Sequence, residues 1–255
     1  MPGKQITLLD DSQWPSAAFG VELPIRRESA ALVVVDMQHY CIDAKGHLAD
    51  SVSTGHAAVH AGYEQRVQVA ITNVARLLGS FRGAGRRVVY TRHGIQTPGG
   101  QDLVLRRRGR EAIARDATDD ASGHMAANGT HGYEIIPDLA PREGELVLDK
   151  NTSSAFHTTP IDLYLRNMGI DTIICTGVAA DQCVFATALD AADRGFHVII
   201  ARDACANLDP GSAEAVQILF GRVWGYVMLT DDILTWLETG NAPTQTHIES
   251  LPGNS

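Results

Sequence analysis

Six short apolar runs of strand length, most of them separated by helical segments, constrain the fold of this chain more than any other feature. They lie at 31–35, 87–91, 145–149, 172–176, 197–201 and 226–229. The first, Ala31-Leu32-Val33-Val34-Val35, is continuously apolar rather than alternating, as expected of a central parallel strand covered on both faces. Residues 65–81 carry Val67, Ile71, Val74 and Leu78 on one face and stop at Gly83 and Gly85, the pattern of a helix. Parallel neighbours need crossover connections, so an α/β fold is predicted: a three-layer α/β/α sandwich on a doubly wound, mainly parallel six-stranded sheet. In such sheets the ligand crevice lies outside the carboxyl ends of the strands, so functional residues are expected just after them.

The 255 residues are 44% hydrophobic, enough for a sizeable core, and no shift in composition divides them; one domain is expected over 30–240. Residues 1–29 mix Pro, Ser and charge without a period and read as an arm packed outside or against a neighbouring subunit. Residues 241–255 read as a C-terminal tail. The interval 92–144 breaks the rhythm with Pro98-Gly99-Gly100, the basic cluster Arg106-Arg107-Arg108 and Arg110, and a Gly/His/Asn-rich stretch. A long insertion beside a crevice reads as a lid or an assembly arm. With no secretory signal and no run near about 18 apolar residues, a soluble cytoplasmic protein without membrane contact is expected. Cys41, Cys175, Cys183 and Cys205 lie far apart and read as thiols of a reducing compartment. A net charge of −9 opposes a nucleic-acid partner. The arginine cluster reads as a solvated helix face or subunit contact, with an anionic ligand as the alternative.

Three residues sit at the expected strand ends: Asp36, Lys150 and Cys183. Cys183 follows the fourth strand by a short loop and enters a helix marked by Val184, Ala188 and Ala191. There the helix dipole and unsatisfied N–H groups favour a thiolate and can hold an oxyanion. Asp36 can take the thiol proton and return it to a leaving amine, while Lys150 stabilises the thiolate and the carboxylate. Singly, each has a plainer reading: Cys183 as a small buried apolar residue, Asp36 as a cap, Lys150 as a solvated side chain.

The runs Val33-Val34-Val35-Asp36-Met37-Gln38, Lys150-Asn151-Thr152-Ser153-Ser154-Ala155-Phe156 and Gly177-Val178-Ala179-Ala180-Asp181-Gln182-Cys183-Val184 occur in one order. In these the chain resembles the isochorismatase-like cysteine hydrolases, which include nicotinamidases, N-carbamoylsarcosine amidases, ureidoacrylate amidohydrolases and biuret hydrolases. The resemblance implies an Asp36/Lys150/Cys183 triad and a covalent acyl intermediate on Cys183. It also implies a cis peptide between Val178 and Ala179, with the Ala179 and Cys183 N–H groups as oxyanion hole. Members that cleave the vinyl ether of isochorismate lack the nucleophilic cysteine, so Cys183 points to C–N hydrolysis. Nicotinamidases carry an Asp-Trp-His-Pro type metal segment where this chain has Thr91-Arg92-His93-Gly94, so no metal and no cofactor are expected.

The expected substrate is therefore a small linear ureide or carbamoyl amide: biuret, triuret, ureidoacrylate or an N-carbamoyl amino acid. A nicotinamidase-like ring amidase, a silent binding member of the fold and a thiol redox sensor are the rivals. Gln38, Tyr40 and Asn151 are expected substrate contacts, and a homo-oligomer, dimer or tetramer, is the expected assembly. His93, His124 and His131 are candidates to reach the crevice. His56 and His60 have helical metal-pair spacing but no accompanying third ligand, and read as an exposed face. Phe156 and His157 fit core and surface equally.

Overall fold

The computed structural model describes residues 24–43, 62–97, 100–105 and 127–241. The outer parts of the arm and tail, His56, His60, Arg106 to Arg110 and His124 lie outside those residues. Six strands form one sheet: β1 (Ala30–Val35), β2 (Arg87–His93), β3 (Leu146–Lys150), β4 (Thr172–Val178), β5 (His197–Ala206) and β6 (Tyr226–Met228). Their spatial order is β3-β2-β1-β4-β5-β6. Every pairing in it is parallel, where the sequence predicts a mainly parallel sheet.

Seven helices accompany the strands among the described residues, the last of them after β6: α1 (His39–Ile42), α2 (Tyr63–Gly83), α3 (Ala155–Thr158), α4 (Ile161–Asn167), α5 (Phe185–Asp193), α6 (Pro210–Val223) and α7 (Thr230–Thr239). The predicted helix over 65–81 is α2, two residues longer at each end, and Val67, Val74, Leu77 and Phe81 on its inner face are buried. Asp209 caps α6 by accepting from the N–H groups of Gly211 and Ser212 at 3.3 and 3.0 Å, while Pro210 supplies the preset first turn.

Strand alternation divides the interior into two cores. Leu32 and Val34 of β1 pack with α2 and α7, through residues such as Val74, Leu77, Ile233 and Trp236. Ala31, Val33 and Val35 face the other side, with Phe156 of α3, Ile161 and Leu165 of α4, Ala188 and Ala191 of α5, and Phe220 of α6. All six residues of β1 are buried, which explains the continuous apolar run. The strand order reverses between β1 and β4, and a crevice opens at such a switch point. There Gly177 has a φ of +110°, and any side chain on it would collide with the Val35 carbonyl oxygen. Glycine is therefore what lets β1 and β4 approach immediately before Asp36 and Cys183.

The described ends of the 92–144 interval fold back on the strand ends. Single bridges join Gln38 to Ile135 and Ile95 to Ala127, and short 3-10 turns form at His131–Tyr133 and Pro137–Leu139. No helix among the described residues is long and apolar enough to cross a membrane.

Candidate active site

Asp36 is the first residue beyond β1, and its φ of 52° lies in the left-handed region that non-glycine residues rarely adopt. Simple alternation would send its side chain toward the α2 core, with Val34. Thr91 of β2 and Lys150 of β3 instead share the parity of Val89 and Leu148, which face the α3–α6 core. The turn at Asp36 carries its carboxylate to that side. Thr91 Oγ1 donates to Asp36 Oδ1 at 2.6 Å, and Lys150 Nζ donates to Oδ2 at 2.6 Å. A left-handed aspartate costs roughly 1–3 kcal/mol, a strain kept where the surroundings fix it.

Lys150 reaches this position from β3, with β2 between, and its backbone pairs with His93. Its ammonium also donates to the Thr152 carbonyl at 3.1 Å, and the Cys183 sulfur lies near enough to act on its charge. Asp36 and Lys150 are each 1% exposed. Burial by itself would lower the Lys150 pKa, but the Asp36 carboxylate and the Cys183 sulfur outweigh it and hold the ammonium above its ordinary value of 10.5. The pair thus keeps a buried cation charged.

Cys183 lies in a single π-turn, Ala180–Val184, that leads straight into α5. Its thiol is therefore in the first turn of a continuous helical segment, as the sequence predicts. Gln182 and Val184 donate their N–H groups to the Ala179 carbonyl at 3.1 and 3.2 Å, closing the turn. The Val178–Ala179 peptide is cis. Cys183 is buried with Val184, Val33 and Val35 in the α3–α6 core, so thiol, ammonium and carboxylate meet on one side of the sheet. Cys41, Cys175, Cys183 and Cys205 form no disulfide. Burial pushes the Cys41 and Cys205 thiols up, and that of Cys175 up to about 12.

Tyr40 is buried at this end, its hydroxyl 3.1 Å from His93 Nδ1. Burial first, then the charges of Cys41, Asp36 and Cys183, hold its phenol well above the ordinary tyrosine range, so it stays protonated. Gln38 and Asn151, expected as substrate contacts, are engaged otherwise. Gln38 donates both amide hydrogens, to the carbonyls of His93 at 3.2 Å and Tyr133 at 2.8 Å, and accepts from the His93 N–H at 2.7 Å. It is fully buried and locks the 131–133 turn onto β2. Asn151 donates to Asp102 O and Oδ2 at 3.0 and 3.3 Å, tying the 100–105 segment to the end of β3. Of the histidines, His93 is buried beside Tyr40, whereas His131 stacks on His39 at a centroid separation of 4.0 Å. Phe156 is core and the largely exposed His157 pairs with Asp190. Sequence reasoning missed Thr91 as the second partner of Asp36; its only signal is its place in register beside Val35.

An acid, an ammonium and a thiol sharing one buried point at the switch of a doubly wound sheet define a site suited to acyl transfer through sulfur. The isochorismatase domain family matches residues 30–231. Ureidoacrylate amidohydrolase RutB of Methylorubrum extorquens is 30% identical over 230 residues, covering 82% of this chain and 88% of that one. N-carbamoylsarcosine amidase from Thermoplasma acidophilum has a TM-score of 0.60 at 30% identity, over 80% of this chain and 97% of that chain. An isochorismatase family protein from Desulfovibrio vulgaris has a TM-score of 0.64 at 28% identity, over 81% and 98%. The chain belongs to the isochorismatase family. Family and relatives together put it among hydrolases acting on carbon–nitrogen bonds other than peptide bonds.

Proposed function

We propose that this hydrolase cleaves a C–N bond of a small linear ureide or carbamoyl compound, of the biuret, triuret, ureidoacrylate or N-carbamoyl type, through a thioester on Cys183. The observation that carries the reading is the buried Lys150–Asp36 pair, bonded at 2.6 Å, with the buried Cys183 sulfur near enough on the same side of the sheet to act on the ammonium. A buried lysine in that position favours both the carboxylate that removes a proton and the sulfur that becomes an anion.

Asp36 accepts the Cys183 proton as sulfur attacks the substrate carbonyl carbon, giving a tetrahedral oxyanion. By family resemblance the N–H groups of Ala179 and Cys183 receive that oxygen. Collapse breaks the C–N bond, and the proton on Asp36 passes to the departing nitrogen, which leaves as ammonia or an amine. Asp36 then takes a proton from water as its oxygen attacks the thioester. The C–S bond breaks and the proton returns to sulfur. The ureide class is favoured over isochorismate by Cys183 itself, and it agrees with the named activities of the ureidoacrylate and N-carbamoylsarcosine relatives.

The test is ammonia release from biuret, triuret, ureidoacrylate, N-carbamoylsarcosine and nicotinamide by the parent enzyme and by Cys183→Ala. Turnover of a linear member that vanishes in the variant supports the proposal. Turnover of nicotinamide alone, or of nothing, overturns it.

A further inference from the structure

A second set of donor atoms converges that includes none of Asp36, Lys150 and Cys183. His39 and Asp43 lie at either end of α1, and His131 opens the short 131–133 turn; their ligand atoms all lie within 4.8 Å of one another. His39 Nδ1 is 3.0 Å from Asp43 Oδ2, and the His39 and His131 rings lie 4.0 Å apart at 33°. The backbone holds the three in place before any ligand arrives. His39 N–H donates to Glu134 O at 3.0 Å, Glu134 N–H to His131 O at 3.1 Å, and Asp43 N–H to His39 O at 2.9 Å. Gln38, next to His39, donates to the carbonyl of Tyr133, two residues beyond His131, at 2.8 Å.

A histidine–aspartate ion pair accounts for His39 and Asp43 but not for the second imidazole laid against the first. Two imidazolium rings at that distance repel, whereas two neutral rings and one carboxylate offer three donors to a single cation. We propose that His39, Asp43 and His131 bind one divalent first-row transition cation such as Zn²⁺, leaving a further position to water. Two nitrogens and one oxygen suit such an ion and not Mg²⁺ or Ca²⁺, which take all-oxygen sets. The site is distinct from the metal segment of nicotinamidases, which follows the second strand. Its place gives it a structural role: it clips α1 to the turn that Gln38 already binds, two segments far apart in sequence, and binding energy of that kind becomes folding energy.

The experiment uses the full chain carrying Cys183→Ala, so that the catalytic thiol does not compete, stripped with EDTA and titrated with ZnCl₂ by calorimetry. One site per chain is expected. His39→Ala and His131→Ala each weaken it by roughly 100-fold or more, beyond the loss that an outer-shell partner causes. At 100-fold excess over Kd, Zn²⁺ raises Tm by roughly 5 °C or more in the parent and in neither histidine variant. Mg²⁺ raises it in none. His131 is exposed and His39 partly buried, and matching far-UV spectra of the metal-free proteins show that both variants fold. No saturable heat up to about 1 mM, or a Zn²⁺ response equal in the parent and both folded variants, overturns the proposal.

Discussion

Lys150 Nζ lies 2.6 Å from Asp36 Oδ2, although a whole strand, β2, separates their backbones. Parallel strands are about 4.8 Å apart, so the lysine side chain must reach across the width of β2 to meet the carboxylate. Such a long buried side chain is held by what it meets: Asp36, the Thr152 carbonyl and Cys183. The pair is both a structural element and the electrostatic setting of the thiol.

Removing one member of the pair should cost more than removing both. Lys150→Met leaves an uncompensated buried carboxylate, and a loss of about 3–5 kcal/mol in unfolding free energy is expected. Asp36→Asn/Lys150→Met should regain part of that loss and still be inactive. Urea unfolding of the two single variants and the double variant, combined with an ammonia-release assay, checks both halves.

The pH dependence of stability follows from the direction of the Lys150 shift. Its pKa is raised in the folded protein, so its contribution is fully present below the ordinary value of 10.5 and is lost as pH rises through the higher folded value. Unfolding free energy measured from about pH 8 to 12 should therefore decline on the alkaline side. Lys150→Met should lack that component of the decline. No alkaline limb of activity below 10.5 should trace to this residue.

Cys183→Ala should abolish hydrolysis by at least about 10³-fold, since a nucleophile and its base act as a unit. The substitution removes only a small sulfur from a site 5% exposed. Its Tm should consequently stay within a few degrees of the parent, a comparison that separates lost chemistry from lost fold.

Gly177→Ala tests the close approach of β1 and β4. A methyl group there meets the Val35 carbonyl, and alanine disfavours a φ of +110°. Destabilisation by more than about 3 kcal/mol is expected from clash and strain together, read as a lower urea midpoint or loss of soluble protein.

The sheet was legible because its central strands β1 and β4 are buried on both faces: runs such as Ala31 to Val35 need no tertiary information to be recognised. Asp36, Lys150 and Cys183 were legible for a related reason, since residues at the carboxyl ends of parallel strands converge on one edge. What escaped was decided by register. Thr91 reaches Asp36 only because it pairs with Val35, and the left-handed turn that brings them together leaves no trace in composition. Gln38 stands in a functional motif, so it reads as a substrate contact. Its partners His93 and Tyr133 lie 55 and 95 residues away, and only the folded chain discloses that its amide is spent on them. The tie of Asn151 to Asp102 was equally illegible, because Asp102 comes from the irregular insertion.

The most direct measurement is the rate at which iodoacetamide modifies each cysteine near neutral pH, read by peptide mass spectrometry. Burial holds Cys41, Cys175 and Cys205 as thiols, with Cys175 pushed up to about 12, while Cys183 shares the Lys150 ammonium with Asp36. Cys183 should be labelled at least about tenfold faster than the other three, and Lys150→Met should erase that advantage. Labelling of Cys183 no faster than Cys205 would contradict its role as the activated nucleophile.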